Sequence, residues 1–198
     1  MFPDITHTPK TSPFLAAAAR FGSGGDTPRA FLERCLDALA TWEPKIGAFV
    51  NTNIDGARAA ADASTVRWHD GRPLSAIDGI PMGVKDIIET TDMPTEMGSP
   101  LFEGWRSGRD AATVVALREA GAVVLGKTVT TEFAATVPRG TRNPWDLART
   151  PGGSSSGSAA AVAAGIVEGE RRDAAQSVLH GRLLFGGPRR DRSTAVRS

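Results

Sequence analysis

One stretch constrains this chain more than any other. Thr150-Pro151-Gly152-Gly153-Ser154-Ser155-Ser156-Gly157-Ser158 runs directly into Ala159–Gly165, a segment made almost wholly of small residues. The glycines permit backbone geometry that other residues cannot reach, and the serines supply hydroxyls at close intervals. A Gly/Ser run by itself reads as a linker. A linker does not explain why the run continues into a helix of small residues, which is suited to packing very closely on a sheet.

Around that stretch the chain reads as helices alternating with short buried strands. Thr27-Pro28 is a helix start, a capping hydroxyl followed by a proline whose missing N–H costs nothing there. Phe31, Leu32, Cys35, Leu36, Leu39 and Trp42 recur at helical spacing, which predicts a helix to about Trp42. A short strand is expected at Ile46–Val50 and an Ala-rich helix at Ile54–Trp68. Ile77–Val84 contains Pro81 and Gly83, so a turn or irregular edge should lead into a short strand. Asp110 is placed to cap a helix running to about Ala120, and Ala122–Leu125 is an apolar run of the buried-strand kind. The pattern predicts an α/β architecture with a mixed sheet covered by helices.

Composition removes several function classes. Formal net charge is +1, so no global field recruits nucleic acid or an acidic membrane surface. No apolar run approaches the ~20 residues of a membrane helix. The N-terminus lacks the basic-then-apolar layout of a signal peptide. The single cysteine, Cys35, has no disulfide partner within the chain, which suits a reducing cytoplasm. A soluble, cytoplasmic protein without cofactor or metal is expected, and its oligomeric state is open. His7, His69 and His180 stand outside any motif, so a Ser-His-Asp hydrolase is a poor rival.

Two motifs compete for the chemistry. Gly121-Ala122-Val123-Val124-Leu125-Gly126-Lys127-Thr128 fits the G-x-x-x-x-G-K-[ST] spacing of a phosphate-binding loop. Its intervening residues would themselves be a buried strand and helix precedes it, so a helix–strand joint is the preferred reading over a nucleotide binder. The other candidate is Gly79-Ile80-Pro81-Met82-Gly83-Val84-Lys85-Asp86 taken with the Gly/Ser loop.

With Asn143-Pro144-Trp145, these segments make the chain resemble the amidase signature family. That family carries G-I-P-x-x-x-K-D, G-A-x-x-x-G-K-T, N-P-W and P-G-G-S-S-x-G-S-A-A-A-V-A-A-G segments in this order. All four stand here, at Gly79–Asp86, Gly121–Thr128, Asn143–Trp145 and Pro151–Gly165, and the resemblance runs from about Phe31 to Gly165. It implies the amidase-signature fold and hydrolysis of a small-molecule amide, with Lys85 as catalytic lysine and Ser154 as bridging serine, reached through a cis Gly153–Ser154 peptide. Burial would leave Lys85 a neutral amine, able to draw a proton through Ser154 from a second, nucleophilic serine. The family also includes the subunit that supplies ammonia for transamidation of misacylated tRNA, and the sequence does not separate that role from a free amidase.

The pattern breaks after Gly165. The family's nucleophile lies in a D-x-G-G-S-[IV] segment. Here Asp173-Ala174-Ala175-Gln176-Ser177-Val178 keeps the skeleton but not the glycine pair, with Ser177 one residue closer to Ser154 than the family spacing. Ser177 is the remnant nucleophile on this reading. Residues 166–198 hold seven Arg, no Lys and four acidic residues, a local balance of +3 against −2 for residues 1–165. Read one base later, with permitted codon choices, His180–Gly187 can encode Thr-Ala-Ala-Ser-Tyr-Ser-Gly-Val, the family's continuation. The expectation is therefore an amidase domain portion at 1–165 and an aberrant Arg-rich tail at 166–198, shifted in reading frame; a genuine disordered basic tail is the plainer alternative. A chain ending at Ser198 is expected to leave the family's sheet incomplete, to be poorly soluble, and to turn amides over weakly or not at all. A non-catalytic fragment or pseudoenzyme of the family is the alternative.

Overall fold

The computed structural model describes residues 14–168; the N-terminal residues 1–13, and Ser177 with the rest of the tail from 169 onward, lie outside the described residues. The elements run α1 (Phe14–Phe21), α2 (Pro28–Ile46), β1 (Phe49–Thr52), α3 (Ile54–His69), β2 (Pro81–Lys85), α4 (Ala112–Glu119), β3 (Val123–Thr128) and α5 (Ser156–Ala163).

Helix α2 starts where the sequence indicated. Thr27 Oγ1 accepts from the Ala30 N–H at 3.0 Å, with Pro28 in the first turn. Replacing Thr27 by alanine orphans that N–H and should cost about 1 kcal/mol in chemical denaturation. The helix runs past Trp42 and through Pro44 to Ile46, because Ile46 belongs to its buried face at 1% exposure. Gly47 then turns the chain in the left-handed region, φ 56°, and the Glu43 carboxylate accepts from the Ala48 and Phe49 N–H groups at 3.1 and 2.9 Å. The first strand therefore begins at Phe49 and not at Ile46. Asp110 is also corrected: no side chain caps α4. Its carboxylate accepts instead from the Thr91 N–H at 2.7 Å and pairs with Arg118 at 3.0 Å. Helix α1, which the sequence pattern does not announce, packs Phe14 edge-on against Phe21 and Phe31, centroids 5.7 and 5.5 Å apart.

Among the described residues the sheet has three strands in the order β1-β3-β2. Strand β3 is central and buried at every position, antiparallel to β1 and parallel to β2. This is the expected mixed, helix-covered α/β sheet. β3 is longer than the Ala122–Leu125 run because Gly126-Lys127-Thr128 continue its ladders, Gly126 opposite Thr52 and Gly83, and Lys127 opposite Asn51 and Val84. A core of Leu32, Leu36, Leu39, Ile46, Ala57, Ala61, Val123 and Leu125 joins α2, α3 and the sheet to Ala160, Ala161 and Val162 of α5. Helix α5 begins earlier than the alanine run, at Ser156. Its residues are small because the sheet is so near: a Cβ on Gly157 would run into the backbone oxygen of Ala48 and the backbone nitrogen of Val129.

Candidate active site

Alternation along the strands sorts the polar residues at their ends. Lys85 is paired with Thr128 and Val84 with Lys127. Neighbouring residues of a strand project to opposite faces, so Lys85 and Thr128 share one face and Lys127 takes the other. Helix α5 covers the Lys85 face: Ser158 Oγ and Thr128 Oγ1 are hydrogen-bonded at 2.7 Å, both residues fully buried.

The loop before α5 delivers Ser154 to Lys85. Lys85 Nζ donates to Ser154 Oγ at 2.8 Å, across 69 residues of sequence. The Gly153–Ser154 peptide is cis. The loop is tied to the exit of β3: the Thr131 N–H donates to Ser154 O at 3.0 Å, the Thr130 hydroxyl lies 3.3 Å from the same oxygen, and the Gly157 N–H donates to Val129 O at 2.9 Å. Val129 is itself held by its N–H to Ala48 O at 2.9 Å. Ser154 O is thus held directly by Thr130 and Thr131, and the adjoining Val129 ties that segment to Gly157 and to Ala48. Thr130 and Thr131 were not singled out from the sequence. Their signal is a pair of hydroxyls just past the end of β3, which is visible only once the serine loop is known to lie there.

Lys85 is 5% exposed, and burial holds its ammonium below the ordinary lysine range because a buried cation loses its hydration. No charged group contributes to that shift. The neighbouring lysine has the opposite environment. Lys127 and Asp86 are both fully buried and form an ion pair of 3.2 Å. Lys127 Nζ also donates to Thr95 Oγ1 at 2.7 Å and to Pro94 O at 3.0 Å. Lys127 therefore lies within a strand, enclosed by protein acceptors, and Gly121–Thr128 is not a phosphate-binding loop. A cleft of about 340 Å³ opens at the exit of β3, bordered by Asp86, Glu96, Ser99, Thr130 and Arg139 among others.

His69 is exposed next to Asp70, far in character from a catalytic base, while His7 and His180 lie outside the described residues. Among the described residues, no group of three or more His, Cys, Asp or Glu is gathered to hold a metal ion, and no helix is long and apolar enough to cross a membrane.

The family model for amidases matches residues 30–170, which takes in all three strands, the serine loop and α5. The chain belongs to the amidase family. Among curated relatives, this amidase-family chain is 46% identical over 165 residues to a glutamyl-tRNA(Gln) amidotransferase subunit of Acidothermus cellulolyticus, a match covering 78% of the chain and 32% of the relative. Among solved structures it superimposes on the native peptide amidase of Stenotrophomonas maltophilia with a TM-score of 0.72 at 35% identity, covering 79% of the chain and 34% of that protein. A bacterial aryl acylamidase of the amidase signature family gives a TM-score of 0.72 at 27% identity, covering 79% of the chain and 34% of that protein. The chain spans about a third of the length of the relatives it matches.

Proposed function

We propose that this amidase-family chain carries the base and relay of an amide-hydrolysing site. Lys85 is the base, Ser154 the relay and Ser177 the nucleophile. The observation that carries the reading is the 2.8 Å contact between a buried Lys85 amine without a counter-charge and the Ser154 hydroxyl. A neutral amine keeps its lone pair and can accept the proton of Ser154 Oγ, which in turn draws the proton from the nucleophile. The nucleophile's oxygen bonds to the amide carbonyl carbon, and the resulting oxyanion is held by backbone N–H groups. The C–N bond then breaks as the proton returns through Ser154 to the departing amine. Water releases the acyl group by the same relay, so no metal or cofactor is needed.

Turnover in this chain is weak on this reading, because Ala175-Gln176 stand in the sequence where the family has a glycine pair, and an oxyanion hole needs the close backbone approach that glycine permits. The test is hydrolysis of a simple aryl amide with a fluorophosphonate label mapped in parallel. Slow hydrolysis that disappears in Ser154→Ala, with the fold retained, is the expected result. Hydrolysis equal in Ser154→Ala and the parent would remove Ser154 from the chemistry.

A second reading is favoured by the 46% identity to an amidotransferase component. The same relay would then serve amide transfer within a multi-subunit assembly. Hydrolysis of glutamine that is stimulated by the other components of such an assembly, with aryl amides left untouched, would select it over a free amidase.

A further inference from the structure

Among the described residues, three that are not glycine have backbone in the left-handed region: Met97, Phe133 and Ala134, with φ of 55, 47 and 58°. A Cβ makes that region costly, so such residues persist only where their surroundings enforce them, and they gather at functional sites. Here all three meet in one place. The Phe133 N–H donates to Met97 O at 2.8 Å, joining a turn at 96–99 to a turn at 131–135. The Ser99 hydroxyl joins the same two turns by donating to Glu132 Oε1 at 2.7 Å, and Ser99 is buried. Between these bonds the backbones nearly touch: a Cβ on Gly98 would come within 2.9 Å of Thr130 O and 3.1 Å of Thr131 O.

Each turn is fastened to one member of the relay. The Met97 N–H donates to Asp86 O at 2.8 Å and the Glu96 N–H to the Asp86 carboxylate at 3.1 and 3.2 Å, and Asp86 follows Lys85 directly in the chain. The Thr131 N–H donates to Ser154 O at 3.0 Å. The contacts therefore close a ring through Asp86, Met97, Phe133, Thr131 and Ser154, which returns to Lys85 by the 2.8 Å contact of Nζ with Ser154 Oγ. We infer that the Ser99–Glu132 bond is a latch that holds the two turns together and thereby sets Ser154 against Lys85, which makes Ser99 and Glu132 positioning residues. The inference rests on the reading of Lys85 as base and Ser154 as relay. Without the latch, the turns can release their left-handed backbone by moving apart, and Thr131 draws the Ser154 carbonyl with it. Proton transfer needs the two heavy atoms within about 2.6–3.2 Å, so even a small separation slows it.

Amide hydrogen exchange reads the latch without relying on turnover. In Ser99→Ala and in Glu132→Met, exchange of the Thr131 and Phe133 N–H groups should accelerate about tenfold or more, as expected for the loss of a hydrogen bond to a carboxylate. Exchange of the Val123 N–H, which donates to Ile80 O at the start of β3, should keep its parent rate. In the same variants kcat for an aryl amide should fall about tenfold to a hundredfold with KM unchanged. Glu132→Gln keeps an oxygen for the Ser99 hydroxyl and should restore both readouts. Ser99→Ala removes a single hydroxyl, so it carries the test if Glu132→Met fails to fold. Parent-like exchange at Thr131 in folded Ser99→Ala, or accelerated exchange there with undiminished kcat, would overturn the inference. Parent turnover no faster than that of Lys85→Met would instead sink the reading of Lys85 as base. Exchange at Thr131 would still decide whether the latch holds the serine loop, so the two failures are told apart.

Discussion

Replacing Lys85 by methionine is expected to lower aryl-amide turnover about a thousandfold while the protein stays folded, since a positioned base contributes on the order of 10²–10⁴ in rate. Methionine fills nearly the same volume, is at home in a buried site, and removes only the amine. What is lost from the folded state is one hydrogen bond, Lys85 Nζ to Ser154 Oγ, worth about 1 kcal/mol. Part of that loss is offset, because the buried amine no longer has to be kept from its hydration. Thermal unfolding should therefore shift by a few degrees at most while catalysis collapses. Lys85→Arg should be as inactive as Lys85→Met, because a guanidinium does not give up its proton at any useful pH. Turnover retained in either variant would mean that Lys85 is not the base.

The second large effect is on stability. A Cβ at position 157 collides with Ala48 O and Val129 N, both backbone atoms and from different segments. No rotamer change can relieve such contacts. Gly157→Ala must push α5 off the sheet and break the Gly157 N–H bond to Val129 O. We expect a loss of roughly 3 kcal/mol or more in urea unfolding, in the range of overpacked cores. Because Val129 is followed by the threonines that hold Ser154, the same change should also loosen the Lys85–Ser154 contact. A Gly157→Ala protein as stable as the parent would contradict the close packing of α5.

These two residues also mark what a linear reading can and cannot recover. The small residues from Ala159 to Gly165 announced a helix lying tight on a sheet, because only small residues tolerate such an approach, while Gly157 read as part of the loop before it. Lys85 and Ser154 were legible for a different reason: the segments around them resemble a family whose motifs occur in fixed order. The Lys127–Asp86 pair was not legible. Lys127 sits in a string that mimics a phosphate-binding loop, and only the register of β2 on β3 shows that it faces Asp86 across the sheet. Helix boundaries failed where side chains rewrote the local rule. Ile46, on the buried face of α2, carried that helix past a proline, and Asp110 looked like a cap but is engaged by Thr91 and Arg118. Helix α1 was missed because its first turn depends on Glu168, whose carboxylate accepts from the Phe14 N–H at 3.0 Å from 154 residues away.

The proposed relay requires Lys85 to be held as a free amine next to Ser154. Burial lowers the pKa of Lys85 in the folded protein below the unfolded value of about 10.4. The protonated form is thus disfavoured by folding, and stability rises with pH between the folded and unfolded midpoints, where the unfolded chain binds more protons. Amide turnover should rise over the folded midpoint as the base is freed. Titration of the Lys85 15Nζ resonance in the unsubstituted protein measures that midpoint without relying on turnover. The account predicts a midpoint clearly below the ordinary lysine value of about 10.4. A Lys85 midpoint at that ordinary value would contradict it.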